Sequence, residues 1–247
     1  MPHSDSNTPS IASRALAAGS VAAIVVAAGH GQRFGSLENK VLLQLAGVPV
    51  WVRAIESLQS CPLIGQILLV ARTCDRPEME AEANKLGVTI VDGGAERYDS
   101  VRAGLDWLAK AADPSPLIAV HDAARPLVTA REIETVIRAA AEHQAAILAT
   151  PVRGTIKRGR DDFSSITTVD RTDLWEALTP QVFAATILRN AYDRHRGRPV
   201  TDDAELVERS GTPVCLVPSS AENLKITLVE DLQIAEAIVL RRMTLHN

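Results

Sequence analysis

The chain has 247 residues, 46% hydrophobic and 23% charged, with 26 Lys and Arg against 30 Asp and Glu for a formal charge of -4. That length builds a hydrophobic core unaided by disulfides or metals, which excludes small stapled scaffolds. The acidic balance and the 3% aromatic content argue against nucleic acid, an anionic membrane surface or single-strand stacking as partners, so an anionic ligand has to be met by a local basic cluster.

No stretch approaches the roughly 18 apolar residues of a membrane span. Cys61, Cys74 and Cys215 are scattered and lack the C-x-x-C spacing of a zinc or redox site, so a reducing, cytoplasmic compartment is expected. Residues 1–20 carry Asp5 and Arg14 among Ser, Ala and Pro without an apolar centre behind a basic start. They read as a disordered N-terminal tail rather than a secretory signal. Residues 21–247 read as one domain.

From Val21 onward, short apolar runs alternate with segments of helical period, the pattern of strand and crossover-helix units on a mostly parallel sheet. The fold class is therefore α/β. Strands are predicted at Val21–Ala27, Gln66–Val70, Val88–Val91, Leu117–Val120, Ala146–Pro151 and Val214–Val217. Two helix starts carry the pattern of a capping box, Thr129 with Glu132 and Thr227 with Glu230. The faces Ile133, Val136, Ile137, Ala140 and Leu228, Leu232, Ala235, Ile238 are both expected to pack on the sheet. The polar segment Arg153–Thr168 breaks the rhythm and is expected to project as an arm, about residues 151–170.

Three strand ends carry the chemistry-bearing residues. After the first strand, Ala27-Ala28-Gly29-His30-Gly31-Gln32-Arg33 is a small-residue turn whose backbone N–H groups can approach a phosphate. Its spacing fits neither the dinucleotide fingerprint nor a Walker A loop. Arg33 and Lys40 add two cations, which suits an oligophosphate such as a nucleoside triphosphate. The second is Asp92-Gly93-Gly94, leading into a helix near Asp99 or Ser100, where paired glycines permit close backbone approach. The third is His121-Asp122-Ala123-Ala124-Arg125-Pro126, an ionisable cluster at the carboxyl edge of the sheet, where α/β folds bind ligands.

Together these motifs resemble the 2-C-methyl-D-erythritol 4-phosphate cytidylyltransferase family. Thr155-Ile156-Lys157-Arg158, Thr179-Pro180-Gln181, Thr201-Asp202-Asp203-Ala204 and Asn223-Leu224-Lys225-Ile226-Thr227 follow in the family's order, so the resemblance runs from about Val21 to about Leu240. It implies a Rossmann-like sheet of the nucleotide-diphospho-sugar transferase type and transfer of a cytidylyl group from CTP to methylerythritol phosphate. It implies that Ala27, Ala28 and Gly29 with Gly93 and Ser100 hold the cytidine, that Gly31 also binds the nucleotide, that Arg33, Lys40 and Lys225 hold the triphosphate, and that these three cations with Arg158 are the catalytic residues. Asp122, Arg125 and Arg158 are implied on the acceptor side, in a homodimer whose arm carries Arg158 into the partner's site. Mg²⁺ is the implied cofactor, held mainly by the CTP phosphates rather than by protein ligands. A cytidylyltransferase for another polyol phosphate, such as ribitol 5-phosphate, and a catalytically weak nucleotide-binding protein are the alternatives.

Two positions depart from the family pattern. Asn39-Lys40-Val41 stands where the family has Pro-Lys-Gln, which keeps the cation but loses a stiffening proline. A looser loop and slower turnover are expected from that change. Gly154-Thr155 stands where the family has Asp-Thr, which removes a carboxylate from the arm and leaves its backbone freer.

Overall fold

The computed structural model describes residues 16–29, 39–111, 115–160 and 164–245. The strands are β1 (Val21–Val26), β2 (Gln44–Leu45), β3 (Val48–Pro49), β4 (Ile64–Ala71), β5 (Thr89–Asp92), β6 (Leu117–Asp122), β7 (Ala145–Pro151), β8 (Ile156–Gly159), β9 (Ile166–Val169), β10 (Trp175–Ala184) and β11 (Cys215–Pro218). The helices are α1 (Val50–Gln59), α2 (Arg76–Lys85), α3 (Arg97–Leu108), α4 (Ala130–His143), α5 (Ala185–Arg194), α6 (Asp203–Arg209) and α7 (Val229–Leu245), with a 3-10 turn at Lys40–Leu42.

A seven-stranded sheet in the order β11-β7-β10-β6-β1-β4-β5 forms the centre. All six predicted strands lie in it and pair parallel with one another where they are adjacent. The seventh, β10, is not among the predicted strands; it runs antiparallel between β6 and β7. The β1 register, Val26 opposite Asp122 on one side and opposite Val70 on the other, brings three carboxyl ends level.

Burial on both faces explains the continuous apolar strands. Along β1, Val21, Ala23 and Val25 join the layer with Trp51, Ile55, Val136 and Ile137 from α1 and α4. Ala22 and Ile24 point the other way, to Val101 and Leu105 of α3 and to Leu188, Tyr192 and Leu206 of α5 and α6. The Thr129 box forms as expected: Thr129 Oγ1 accepts from Glu132 N at 3.3 Å and Glu132 Oε2 accepts from Thr129 N at 2.9 Å.

The Thr227–Glu230 box does not form. Asp231 Oδ2 instead accepts from Thr227 N, Thr227 Oγ1 and Leu228 N at 2.7, 2.7 and 2.8 Å. A carboxylate one residue further on thus satisfies the orphan donors, and the helix starts at Val229. Its buried face also lies elsewhere than on the main sheet. Ala235 and Val239 pack with Leu45, Val50, Leu127 and Ile226, while Leu228 is exposed.

The segment expected to project is a hairpin, β8 against β9, with Ile156 opposite Val169 and Gly159 opposite Ile166. Every described residue from 153 to 168 is exposed. The disordered tail expected over residues 1–20 does not reach its last five positions. Gly19 N donates to Pro62 O at 2.9 Å and Leu16 packs on the core. Residues 1–15 lie outside the described residues. No helix among the described residues is long and apolar enough to cross a membrane.

Candidate functional site

The carboxyl ends of β1 and β6 open into a cleft lined by Val26, Ala27, Gly29, Asn39, Lys40, Val41, Arg97, Asp122, Ala124 and Lys225. Ala27 N donates to Val70 O at 2.8 Å, which carries β1's pairing one residue into the turn. Gly93 N donates to Ala71 O at 2.8 Å and brings the second turn against the first. A Cβ at Gly93 would stand 2.7 Å from Ala28 Cβ and 2.9 Å from Ser100 Oγ, so only glycine permits this approach. Ser100 is buried, accepts from Gly94 N at 3.3 Å and donates to Glu96 O at 3.1 Å. Its hydroxyl braces the glycine turn from below. The helix it belongs to starts at Arg97, two or three residues before the expected point, with Glu96 N donating to Asp99 Oδ2 at 3.1 Å.

The charges converge on Asp122. Its Oδ1 faces Arg97 Nε at 3.3 Å and its Oδ2 accepts from Lys225 Nζ at 2.7 Å. Arg97 continues to the fully buried Asp203, Nη2 to Oδ2 at 2.7 Å, and Tyr192 Oη donates to that carboxylate's other oxygen. Burial alone would raise the Asp122 pKa. The Arg97 and Lys225 charges outweigh it and hold the carboxyl well below the usual carboxylate range. For Arg97, burial works against the charged form, and Asp203 and Asp122 more than offset it.

A buried polar network fixes the backbone beneath these charges. His121 Nε2 faces Arg125 O at 3.0 Å, and because a carbonyl only accepts, that nitrogen carries the proton. Nδ1 therefore accepts from Thr179 Oγ1 at 2.9 Å, and Thr179 Oγ1 in turn accepts from Asp122 N at 3.0 Å. Asn223 Nδ2 donates to Thr179 O at 2.9 Å and Ile226 N donates to Ala124 O at 2.8 Å, which fixes the loop bearing Lys225. Complete burial pushes His121 down to about 4, although the Asp122 charge pulls it upward.

The sign of the resulting pH dependence follows from linkage. An unfolded histidine titrates near 6.5, so the neutral buried ring contributes stability that is fully present above that pH and lost as pH falls through about 4. From this ring alone, stability to urea is expected to fall by up to about 1 kcal/mol for each pH unit lost across this window, and His121→Gln is expected to flatten the slope. An equal slope in that variant would remove His121 as its source.

The structure brings together Ala27, Ala28, Gly29, Lys40, Gly93, Ser100, Asp122 and Lys225 as the sequence suggests. Gly31 and Arg33 lie outside the described residues. Two of the expected acceptor residues are not in this cleft. Arg125 is turned inward by the tight turn in which its N donates to Asp122 O at 2.9 Å. Its buried guanidinium donates from Nη1 to Asn223 O at 2.8 Å, so within this chain it supports the Lys225 loop. Arg158 stands exposed on β8 and does not line the cleft of its own chain. Arg97 and Asn39 line the cleft although sequence reasoning gives neither a role there. For Arg97 the available signal is its place in the first turn of a helix rising from a glycine pair.

Glycine-built turns at the carboxyl edge of a mostly parallel sheet, facing lysine and arginine side chains arranged around a carboxylate, are the apparatus of a nucleotidyltransferase. The chain belongs to the 2-C-methyl-D-erythritol 4-phosphate cytidylyltransferase family, whose family model matches residues 21–241. A protein of that name from Rhodopirellula baltica is 48% identical over 234 residues, covering 90% of this chain and 96% of that protein. One from Symbiobacterium thermophilum is 41% identical over 222 residues, covering 89% and 92%. Among solved structures, 2-C-methyl-D-erythritol 4-phosphate cytidylyltransferase from Thermus thermophilus matches with a TM-score of 0.72 at 30% identity, covering 87% of this chain and 97% of that one. The 4-diphosphocytidyl-2C-methyl-D-erythritol synthase from Anaerococcus prevotii gives a TM-score of 0.76 at 27% identity, covering 89% and 98%.

Proposed function

We propose that this chain transfers the cytidylyl group of CTP to 2-C-methyl-D-erythritol 4-phosphate, giving 4-diphosphocytidyl-2-C-methyl-D-erythritol and pyrophosphate. The observation that carries the reading is the cleft in which Asp122 pairs with Lys225 and Arg97 beside Lys40 and the Ala27–Gly29 turn. In the reaction, a phosphate oxygen of the acceptor attacks the α-phosphorus of CTP, and the bond from that phosphorus to the bridging pyrophosphate oxygen breaks. A phosphate monoester has a second pKa of about 6 and arrives largely ionised, so the step needs no side-chain base.

The principal requirement is to hold two polyanions together. We assign Lys40 and Lys225, with Arg33, to the triphosphate, where their charge offsets that growing on the leaving group. Ala27, Ala28, Gly29, Gly31 and Gly93 shape the cytidine side, with Ser100 bracing it. Asp122 serves the acceptor side and anchors Lys225; Arg125 supports the same loop, and Arg158 completes the acceptor site of a partner subunit in a homodimer. Among the described residues no three His, Cys, Asp or Glu side chains cluster, and both Asp122 oxygens already face cations. That donor set suits a Mg²⁺ carried mainly on the phosphates, where it would supply further charge neutralisation. All three cysteines are free, which supports a cytoplasmic setting.

The test is pyrophosphate release by the purified protein with Mg²⁺, offering CTP or ATP with methylerythritol 4-phosphate, ribitol 5-phosphate or no acceptor. Release with CTP and methylerythritol 4-phosphate alone is the expected result. Release with ribitol 5-phosphate instead reassigns the acceptor, and no release with any pair overturns the enzymatic reading.

A further inference from the structure

Asn39, the residue expected to loosen the loop before Lys40, is one of the most firmly held polar side chains in the cleft. It is only 2% exposed. Its Nδ2 donates to Ala27 O at 2.8 Å and to Asp75 Oδ2 at 2.7 Å, and its Oδ1 accepts from Val41 N at 3.4 Å. Both amide hydrogens and the carbonyl are thus engaged. Asp75 is itself buried and gripped in bidentate fashion by Arg72, Nε to Oδ2 and Nη2 to Oδ1, each at 2.7 Å. Burial pushes the Asp75 carboxyl up, and the bonds from Arg72 and Asn39 more than offset it, so the group stays ionised as an acceptor.

The backbone at Asn39 has φ -74° and ψ 117°, a conformation that proline also adopts. Proline would fix φ and nothing else. The asparagine fixes the same φ and also ties the start of the Lys40–Leu42 turn to the end of β1 and to the loop between β4 and α2. An amide that bonds two separate loops at once restricts where the next residue can go more than a ring on one bond does.

We infer that Asn39 is a positioning residue for cytidylyl transfer, acting through Lys40, with Asp75 and Arg72 as its buried support. The inference rests on the role proposed above for Lys40. Neither Arg72 nor Asp75 lines the cleft, so their contribution is to geometry alone: they hold the amide that holds the turn. A displacement of about 1 Å at a charge-stabilising group is enough to cost up to about 10² in rate.

The test is a double-mutant cycle on the full chain, with kcat and the KM values for CTP and the acceptor measured separately and thermal unfolding followed for each variant. Asn39→Ala is expected to lower kcat about tenfold with the acceptor KM unchanged, and in the Lys40→Ala background to change kcat by less than about twofold. Asn39→Pro, which shares the backbone conformation, is expected to lose less than Asn39→Ala. Should Asn39→Ala fail to fold, Arg72→Gln, at a side chain 20% exposed, takes its place in the same cycle. Equal losses in both backgrounds, or no loss in either, overturn the inference. If Lys40→Ala turns over like the unmodified enzyme, the reading of Lys40 falls and takes this one with it. A slow Lys40→Ala combined with multiplying losses overturns this inference alone.

Discussion

Lys225→Ala is expected to lower kcat by about 10² or more while the protein stays folded. The ammonium lies 2.7 Å from Asp122 Oδ2, on a loop held by Ile226 N to Ala124 O, Asn223 Nδ2 to Thr179 O and Arg125 Nη1 to Asn223 O. Three anchors of this kind specify the lysine's position before any substrate arrives. A preorganised charge is worth most where charge develops, so its removal is expected to fall on kcat more than on the KM for CTP. The fold should survive because the Lys225 side chain is 37% exposed and leaves no buried gap, and because the buried Asp122 faces a second cation in Arg97. That second contact, 3.3 Å in the unmodified chain, does not involve Lys225. Steady-state kinetics beside a thermal melt decides it: unchanged turnover in a folded Lys225→Ala protein removes the residue from the mechanism.

Most of the sheet was legible because β1, β4, β6 and β7 are buried on both faces and read as unbroken apolar runs. β10 escaped for the opposite reason. Its sequence opens with exposed Trp175, Glu176 and Ala177 and carries Pro180, a residue that normally argues against an interior strand. The structure accommodates the proline at an irregularity between Ala177 and Gln181, beyond which the ladder to β7 resumes. No single-sequence pattern signals that a central strand is interrupted so near its middle.

The site divides in the same way. Residues that reach the cleft from where they stand in a motif, such as Gly93, Lys40 and Asp122, could be picked out by local spacing. Residues whose meaning depends on a distant partner could not. Asn39 reads as a missing proline until Asp75, 36 positions away, is seen to accept from it at 2.7 Å. Arg125 reads as a ligand-facing cation until the Asn223 carbonyl, 98 positions away, claims it. The Thr227 cap differs over a shorter range: Asp231 and Glu230 are chemically equivalent acceptors one residue apart, and it is Asp231 that accepts from Thr227 N.

Asp203→Asn is expected to cost about 2 kcal/mol of stability and to slow turnover as well. Asp203 is fully buried and sits between Tyr192 Oη and Arg97 Nη2, the latter 2.7 Å away. The asparagine keeps the shape and can still accept from Tyr192 through its one carbonyl oxygen, but its NH2 group then faces Arg97 Nη2, so the change removes both the charge and the acceptor that Arg97 uses. Loss of one member of a buried ion pair generally costs about 3 to 5 kcal/mol. Two features place this case at or below the lower end: the Arg97 side chain is 28% exposed, and Asp122 remains within 3.3 Å of it. For a domain of this size the shift in melting temperature is about 6 °C. Turnover should fall because Arg97 then has one carboxylate to lean on instead of two, and it is drawn toward Asp122, in competition with Lys225. The kinetic loss is therefore expected to be smaller in a Lys225→Ala background than in the unmodified chain, because the competition no longer exists. Unfolding midpoints for the four proteins of that cycle, with kcat for each, test both halves. A destabilised Asp203→Asn protein with unchanged kcat would leave Asp203 as a support of the fold alone.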